Sequence, residues 1–185
     1  KKISYRIAID GEAEYKTALR NLNAELKTLG TESKKLSAIY AGESNTYDAL
    51  IAKSKNLADQ QSALTEKLET LKGVLSKANT SLQEHKARTQ ELEATQKKAN
   101  DAYNNATEKT EELTKAVIEA NLEYKRNQEN IQYIERRIQT YTQQINTAEG
   151  ELVLLNREIS KTDGYLQEAA TSFDGTAHSI DKYGN

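Results

Sequence analysis

The chain has 185 residues, 36% hydrophobic and 29% charged, with one Phe and no Pro, Cys, Met or Trp. Zero Cys excludes disulfides and thiolate chemistry, and so few large apolar side chains fall short of the two-sided core of a globular enzyme. Charge is balanced at 26 basic against 28 acidic residues; the doublets Lys34-Lys35, Lys97-Lys98 and Arg136-Arg137 sit among acidic neighbours, so there is no specific nucleic-acid site, and no apolar stretch approaches the ~18 residues of a transmembrane segment.

Residues 3–9 alternate apolar groups at Ile3, Tyr5, Ile7 and Ile9, which predicts one short N-terminal β-strand that must find a partner strand elsewhere. Asp10-Gly11 ends it, and Asp10 reads as the N-cap of a helix. This first helix is expected over about 12–40, with Glu12 and Lys16 as a surface pair. The clearest break is 41–46, where Gly42 suits a left-handed C-cap and Asn45 with Asp48 reads as a cap and its reciprocal acid. Tyr40 and Tyr47 are seven residues apart, so the heptad phase crosses this break unchanged; a hairpin and a kinked rod both fit.

From 46 to about 173 no comparable stop signal occurs, and the missing prolines leave the helix free to run. At 1.5 Å per residue it would be about 190 Å long. Gly73, Gly150 and Gly164 each cost about 1 kcal/mol relative to Ala without ending a helix alone. Asn100, Asn104 and Asn105 place a second hinge, if the helix has one, near residue 104. Asp174-Gly175-Thr176 marks a stop. The expected organisation is a strand over 1–11, a first helix over 12–43, a long coiled-coil region over 44–173, and a linker or the start of a next region over 174–185. The apolar stripe is still running at Ile180 and Tyr183, which reads as a piece of a longer protein.

One heptad register, with Tyr47 at a and Leu50 at d, organises nearly all of this. Its seam collects Leu19, Leu22, Leu26, Leu29 and Leu36 in the first helix. Leu50, Leu57, Leu64, Leu68, Leu71 and Leu75 come next. The middle is poor in apolar groups, and Ile131, Ile134, Ile138, Ile145, Leu152, Leu155 and Ile159 make a strong final third. A 3.5-residue period held this long predicts an all-α fold, a long extended heptad coiled coil, with an antiparallel helical hairpin or bundle as the alternative. Ile at both a and d disfavours two strands and favours a parallel homo-trimer. His85, Gln96 and Asn127 interrupt the seam; with no second ligand at i+3 or i+4, His85 is read with the other two as a device for register and oligomer choice. Seven of ten Tyr fall on the seam, where each hydroxyl must keep a hydrogen-bond partner. With two His in all, no nucleophile elbow, no phosphate-binding glycine loop and no HExxH, no catalytic, cofactor or metal residue is expected.

The order of features at the start of the chain resembles the N-terminal region of phage tail tape measure proteins. It runs from a short strand and Asp10-Gly11 to a helix with Ala18-Leu19 and Leu22. A loop carrying Asn45-Thr46 comes after it, then Leu50, Lys53, Leu57, Leu64, Lys67-Leu68 and Leu71-Lys72. The match is best over about residues 1–75. Many members of that family carry Pro before the Asn of the loop; this chain does not. The resemblance implies a structural protein in the lumen of the virion's tail tube, assembled in the host cytoplasm, whose extended helical length sets tube length. It implies tail tube protein, tail assembly chaperones and tail tip proteins as partners, and release from the tube at DNA ejection.

Overall fold

The computed structural model describes the backbone of residues 9–183 and the side chains of residues 9–172. The expected strand at 3–9 therefore lies outside the described residues except for Ile9. Three α-helices make up the described chain: α1 (Glu12–Ile39), α2 (Tyr47–Asn105) and α3 (Glu111–Tyr183).

Each helix boundary has a local cause. Gly11 adopts φ 71, a left-handed conformation that glycine takes without steric cost, and Glu12 N donates to Ile9 O at 2.9 Å. Glu12 and Glu14 then place acidic groups in the first turn, where they complement the helix dipole. At the far end Gly42 turns the chain with φ 88. α2 starts one residue later than Asn45 would cap it, because Thr46 takes that place: its carbonyl accepts from Leu50 N at 3.0 Å. The Thr46 hydroxyl points back to Glu43 O at 3.0 Å and tightens the loop.

The single helix expected over 46–173 is two helices. α2 stops at Asn105, next to the expected hinge, and the chain reverses through 106–110. Lys109 Nζ donates to the carbonyl oxygens of Tyr103, Asn104 and Ala106, the last two at 3.1 Å, satisfying acceptors that the last turn of a helix leaves open. Thr110 Oγ1 accepts from Leu113 N at 3.3 Å, the standard N-cap geometry. The expected stop at Asp174-Gly175 does not end α3, which continues to Tyr183; one glycine costs only about 1 kcal/mol.

The chain divides into two compact units. The first, here the hairpin unit, comprises residues 9–14 and 72–144 among those described. In it the end of α2 and the start of α3 run antiparallel, as the pairing of His85 with Asn127 and of Gln96 with Asn121 requires. Its buried apolar residues include Val74, Ala78, Leu92, Ala120, Ile131 and Ile134.

The second, the three-helix unit, comprises residues 15–71 and 145–183. Asn56 Nδ2 donates to Leu29 O at 3.1 Å, which joins α2 to α1, while Lys53 with Glu158 and Gln61 with Asn156 join α2 to α3. Serving two neighbours, α2 buries a second row beside its Leu50, Leu57 and Leu64: Ala49, Asn56 and Ala63, again seven apart. Small side chains there let a helix approach closely while the leucines supply about 1.5–3 kcal/mol each on burial. The break at 41–46 is thus a hairpin turn between α1 and α2.

Candidate functional site

The seam is the candidate site, because it is where the chain would meet a partner. Leu22, Leu29, Leu50, Leu57, Leu64, Leu68, Leu71, Ile131, Ile134 and Ile145 are buried, while Leu19, Leu26, Leu36, Leu75, Ile138, Leu152, Leu155 and Ile159 are half-buried. The chain's own helices provide that cover, in each unit separately. Tyr47, a seam residue by spacing, is half exposed beside the α1–α2 loop.

Two of the three polar seam residues meet each other across the hairpin. His85 and Asn127 are both buried, and His85 Nδ1 lies 2.7 Å from Asn127 Oδ1. A carbonyl oxygen only accepts, so with this amide orientation the imidazole carries its proton on Nδ1. Asn127 Nδ2 donates to His85 O and to Thr89 Oγ1, each at 2.9 Å, and the Thr89 hydroxyl returns to His85 O at 3.0 Å. Every named donor has an acceptor, so the cluster avoids the ~1–3 kcal/mol penalty of a buried unsatisfied group. Gln96 donates to Asn121 Oδ1 nearer the turn, and Tyr124 OH reaches Glu93 Oε1 at 3.4 Å.

A second cluster takes one seam tyrosine, Tyr141 at a d position, and joins it to charged groups that the apolar pattern does not single out. Glu12, expected on the helix surface beside Lys16, is 4% exposed. Tyr141 OH donates to Glu12 Oε1 at 3.1 Å and Tyr133 OH to Glu12 Oε2 at 3.0 Å. Arg137 Nε lies 2.7 Å from Glu12 Oε1, but its N–H is not aimed along that line, so the attraction is Coulombic. Arg137 Nη2 donates to Tyr141 OH at 2.5 Å, and the guanidinium lies 4.6 Å over the Tyr141 ring. Burial raises the Tyr141 phenol above its ordinary pKa, and the opposing pull of Arg137 does not reverse this. For Arg137 burial is the largest influence and works against the charge, yet Tyr141, Glu12 and Tyr133 together raise its pKa. The cluster fastens the first residue of α1 to α3 within the hairpin unit. Its sequence signal was Tyr133, Arg137 and Tyr141, four apart on one helix face.

In the three-helix unit, a cleft of about 480 Å³ opens beside the α1–α2 loop, lined in part by Tyr40, Gly42, Asn45, Lys161 and Tyr165. Lys53, at its edge, donates to Glu158. That hydrogen bond, ahead of the opposing effect of burial, holds the Glu158 carboxyl below its ordinary range. Thr162, fully buried at a d position, satisfies its hydroxyl on Glu158 O at 2.9 Å. Among the described residues no group of three or more His, Cys, Asp or Glu is placed to hold a metal ion, and no helix is long and apolar enough to cross a membrane. The chain matches no protein-family model, no curated protein and no solved structure.

Proposed function

We propose that the chain is a structural, non-enzymatic segment of a phage tail tape measure protein, whose extended helical length sets the length of the tail tube built around it. The observation that carries this reading is uninterrupted helix: α2 and α3 run for 59 and 73 residues. A rise of ~1.5 Å per residue turns such residue counts directly into distance. The order of features over residues 1–75 and the near-balanced charge support it, since a rod that must later leave a tube gains nothing from a strongly charged surface. In this reading the tube-filling form is an extended heptad coiled coil. Its partners are the tail tube protein, tail assembly chaperones and tail tip proteins, and its place is the tail lumen until DNA ejection.

A second reading, a helical-bundle spacer or binding module acting in assembly, is favoured by one observation: the seam is covered by the chain's own helices. One experiment separates the two. Deleting residues 85–98 together with 118–131 removes two heptads from each strand of the hairpin, keeps its phase and takes out both members of the His85–Asn127 and Gln96–Asn121 pairs together. In a phage carrying that deletion, electron microscopy should find tails shorter by about 42 Å, the length of 28 helical residues. Tails of unaltered length would sink the tape measure reading and leave the bundle module.

A further inference from the structure

The turn at 106–110 is held unlike the turn at 41–46. Gly42 commits the first turn through a left-handed φ of 88, whereas among the described residues the only other positive φ belongs to Gly11. The second turn therefore depends on side chains: Lys109 caps the end of α2 and Thr110 caps the start of α3. Its sequence, Ala-Thr-Glu-Lys-Thr, contains neither Gly nor Pro, so nothing in it bars a helix from running straight through.

The turn also preserves phase. Tyr103, Ala106, Thr110 and Leu113 occupy a, d, a and d, which a turn of arbitrary length would achieve in about one case in seven. A helix continuous through 106–110 would carry one unbroken stripe from α2 into α3. The buried polar groups decide what that stripe can meet. His85 pairs with Asn127, Thr89 with Asn127, and Gln96 with Asn121. These are unlike residues on two different helices, and only α3 running antiparallel to α2 brings them together. Parallel copies in register would set His85 against His85 and Asn127 against Asn127.

We propose that two copies of this chain exchange α3: residues 106–110 become helical, and α2 of each copy packs antiparallel against α3 of the other. Each polar pair is then rebuilt between copies. In the hairpin unit these include His85 and Thr89 with Asn127 and Gln96 with Asn121; in the three-helix unit they include Lys53 with Glu158 and Gln61 with Asn156. At the crossover Tyr103 of one copy faces Leu113 of the other, and Ala106 faces Thr110. These residues are half-buried or exposed at the tip of the closed hairpin, so exchange covers stripe that the turn leaves wet. The contacts are otherwise equivalent, so concentration and the helix preference of five residues set the balance, as in other exchanges of an identical element. The inference concerns the free protein and goes beyond the tail reading; neither outcome of the tail-length experiment bears on it.

The test is cross-linking of the full chain. It has no Cys of its own, so Gln96→Cys with Asn121→Cys supplies the only thiols, to be bridged with a short bis-maleimide. Closed hairpins link within one chain, and exchanged copies link as a covalent dimer. The dimer fraction should rise with protein concentration. It should rise by on the order of tenfold when Thr107→Ala and Thr110→Ala raise the helix preference of the turn, and fall when Thr107→Gly and Glu108→Gly lower it. Circular dichroism establishes that each variant is folded. Links confined to single chains at every concentration, in the Ala variant as in the parent, overturn the proposal. So does efficient dimer formation by Gln96→Cys alone, which places two copies in parallel register.

Discussion

The return from α1 to α2 is written into the backbone, whereas the return from α2 to α3 is written into side chains. At the first, Gly42 takes a conformation that residues with a Cβ avoid. Leucines then pack along α2 beside a row of small residues, Ala49, Asn56 and Ala63. At the second, Lys109 and Thr110 cap two helix ends. The seam leading away from that turn is poor in apolar groups, and it holds its register through His85, Asn127, Thr89, Gln96 and Asn121. The difference teaches that a weak seam can still be specific. Apolar contact tolerates sliding by a heptad, but a buried amide facing an imidazole does not, because a slip leaves both unsatisfied at ~1–3 kcal/mol each.

The largest effect should come from the end of the hairpin unit opposite its turn. Arg137→Ala leaves the buried Glu12 carboxylate with its two tyrosine donors but without the guanidinium beside it. Since Arg137 is itself only partly buried, the cost is about 2–3 kcal/mol, within the range for a hydrogen-bonded charged group. Urea unfolding measures it. A loss below about 1 kcal/mol would show that the hairpin is held by its polar pairs and caps without this anchor.

The turns themselves should rank in a fixed order. Gly42→Ala meets nothing within 4 Å, so its cost is backbone strain alone, about 1–2 kcal/mol for a residue forced left-handed. Lys109→Ala loses exposed hydrogen bonds and should cost less than about 1 kcal/mol. Thermal unfolding of the two variants compares them directly, and a reversed order would break the distinction between backbone and side-chain turns.

The smallest effect is a pH dependence in the three-helix unit. The Lys53 hydrogen bond lowers the Glu158 pKa below its unfolded value. The resulting stabilisation is complete above the ordinary carboxylate range and is lost as pH falls through the lowered folded value. Both side chains are about two-fifths exposed, so solvent screening keeps the contribution well under about 1 kcal/mol. Glu158→Gln should flatten that part of an acid titration while leaving stability at neutral pH nearly unaltered. An equally steep acid limb in the variant would assign the effect to another carboxylate.

Much of this architecture is legible in the residues alone. The seam spacing, the missing prolines and Gly42 point to long helices with a break after Tyr40, and Asn104 stands beside the actual end of α2. The caps are harder to read. Thr46 displaces Asn45, and Lys109 acts on carbonyls that it reaches only once the chain has turned. Glu12 reads as surface charge because its local neighbour, Lys16, offers a ready partner. The groups that bury it, Tyr133, Arg137 and Tyr141, lie more than a hundred residues away. The row Ala49, Asn56 and Ala63 is visible as a spacing, but its meaning depends on α2 having two neighbours.

What the sequence determined by itself is local: where helices persist, where glycine and asparagine weaken them, and which face of each is apolar. Helix propensity and heptad phase are properties of neighbours a few residues apart, so they survive without a fold. What only the tertiary structure decided is which stripe covers which. The same a and d positions suit an extended rod and a folded hairpin equally, since apolar burial has no direction. The choice between them rests on long-range polar pairs, His85 with Asn127 and Glu12 with Arg137, whose geometry exists only when distant segments have come together.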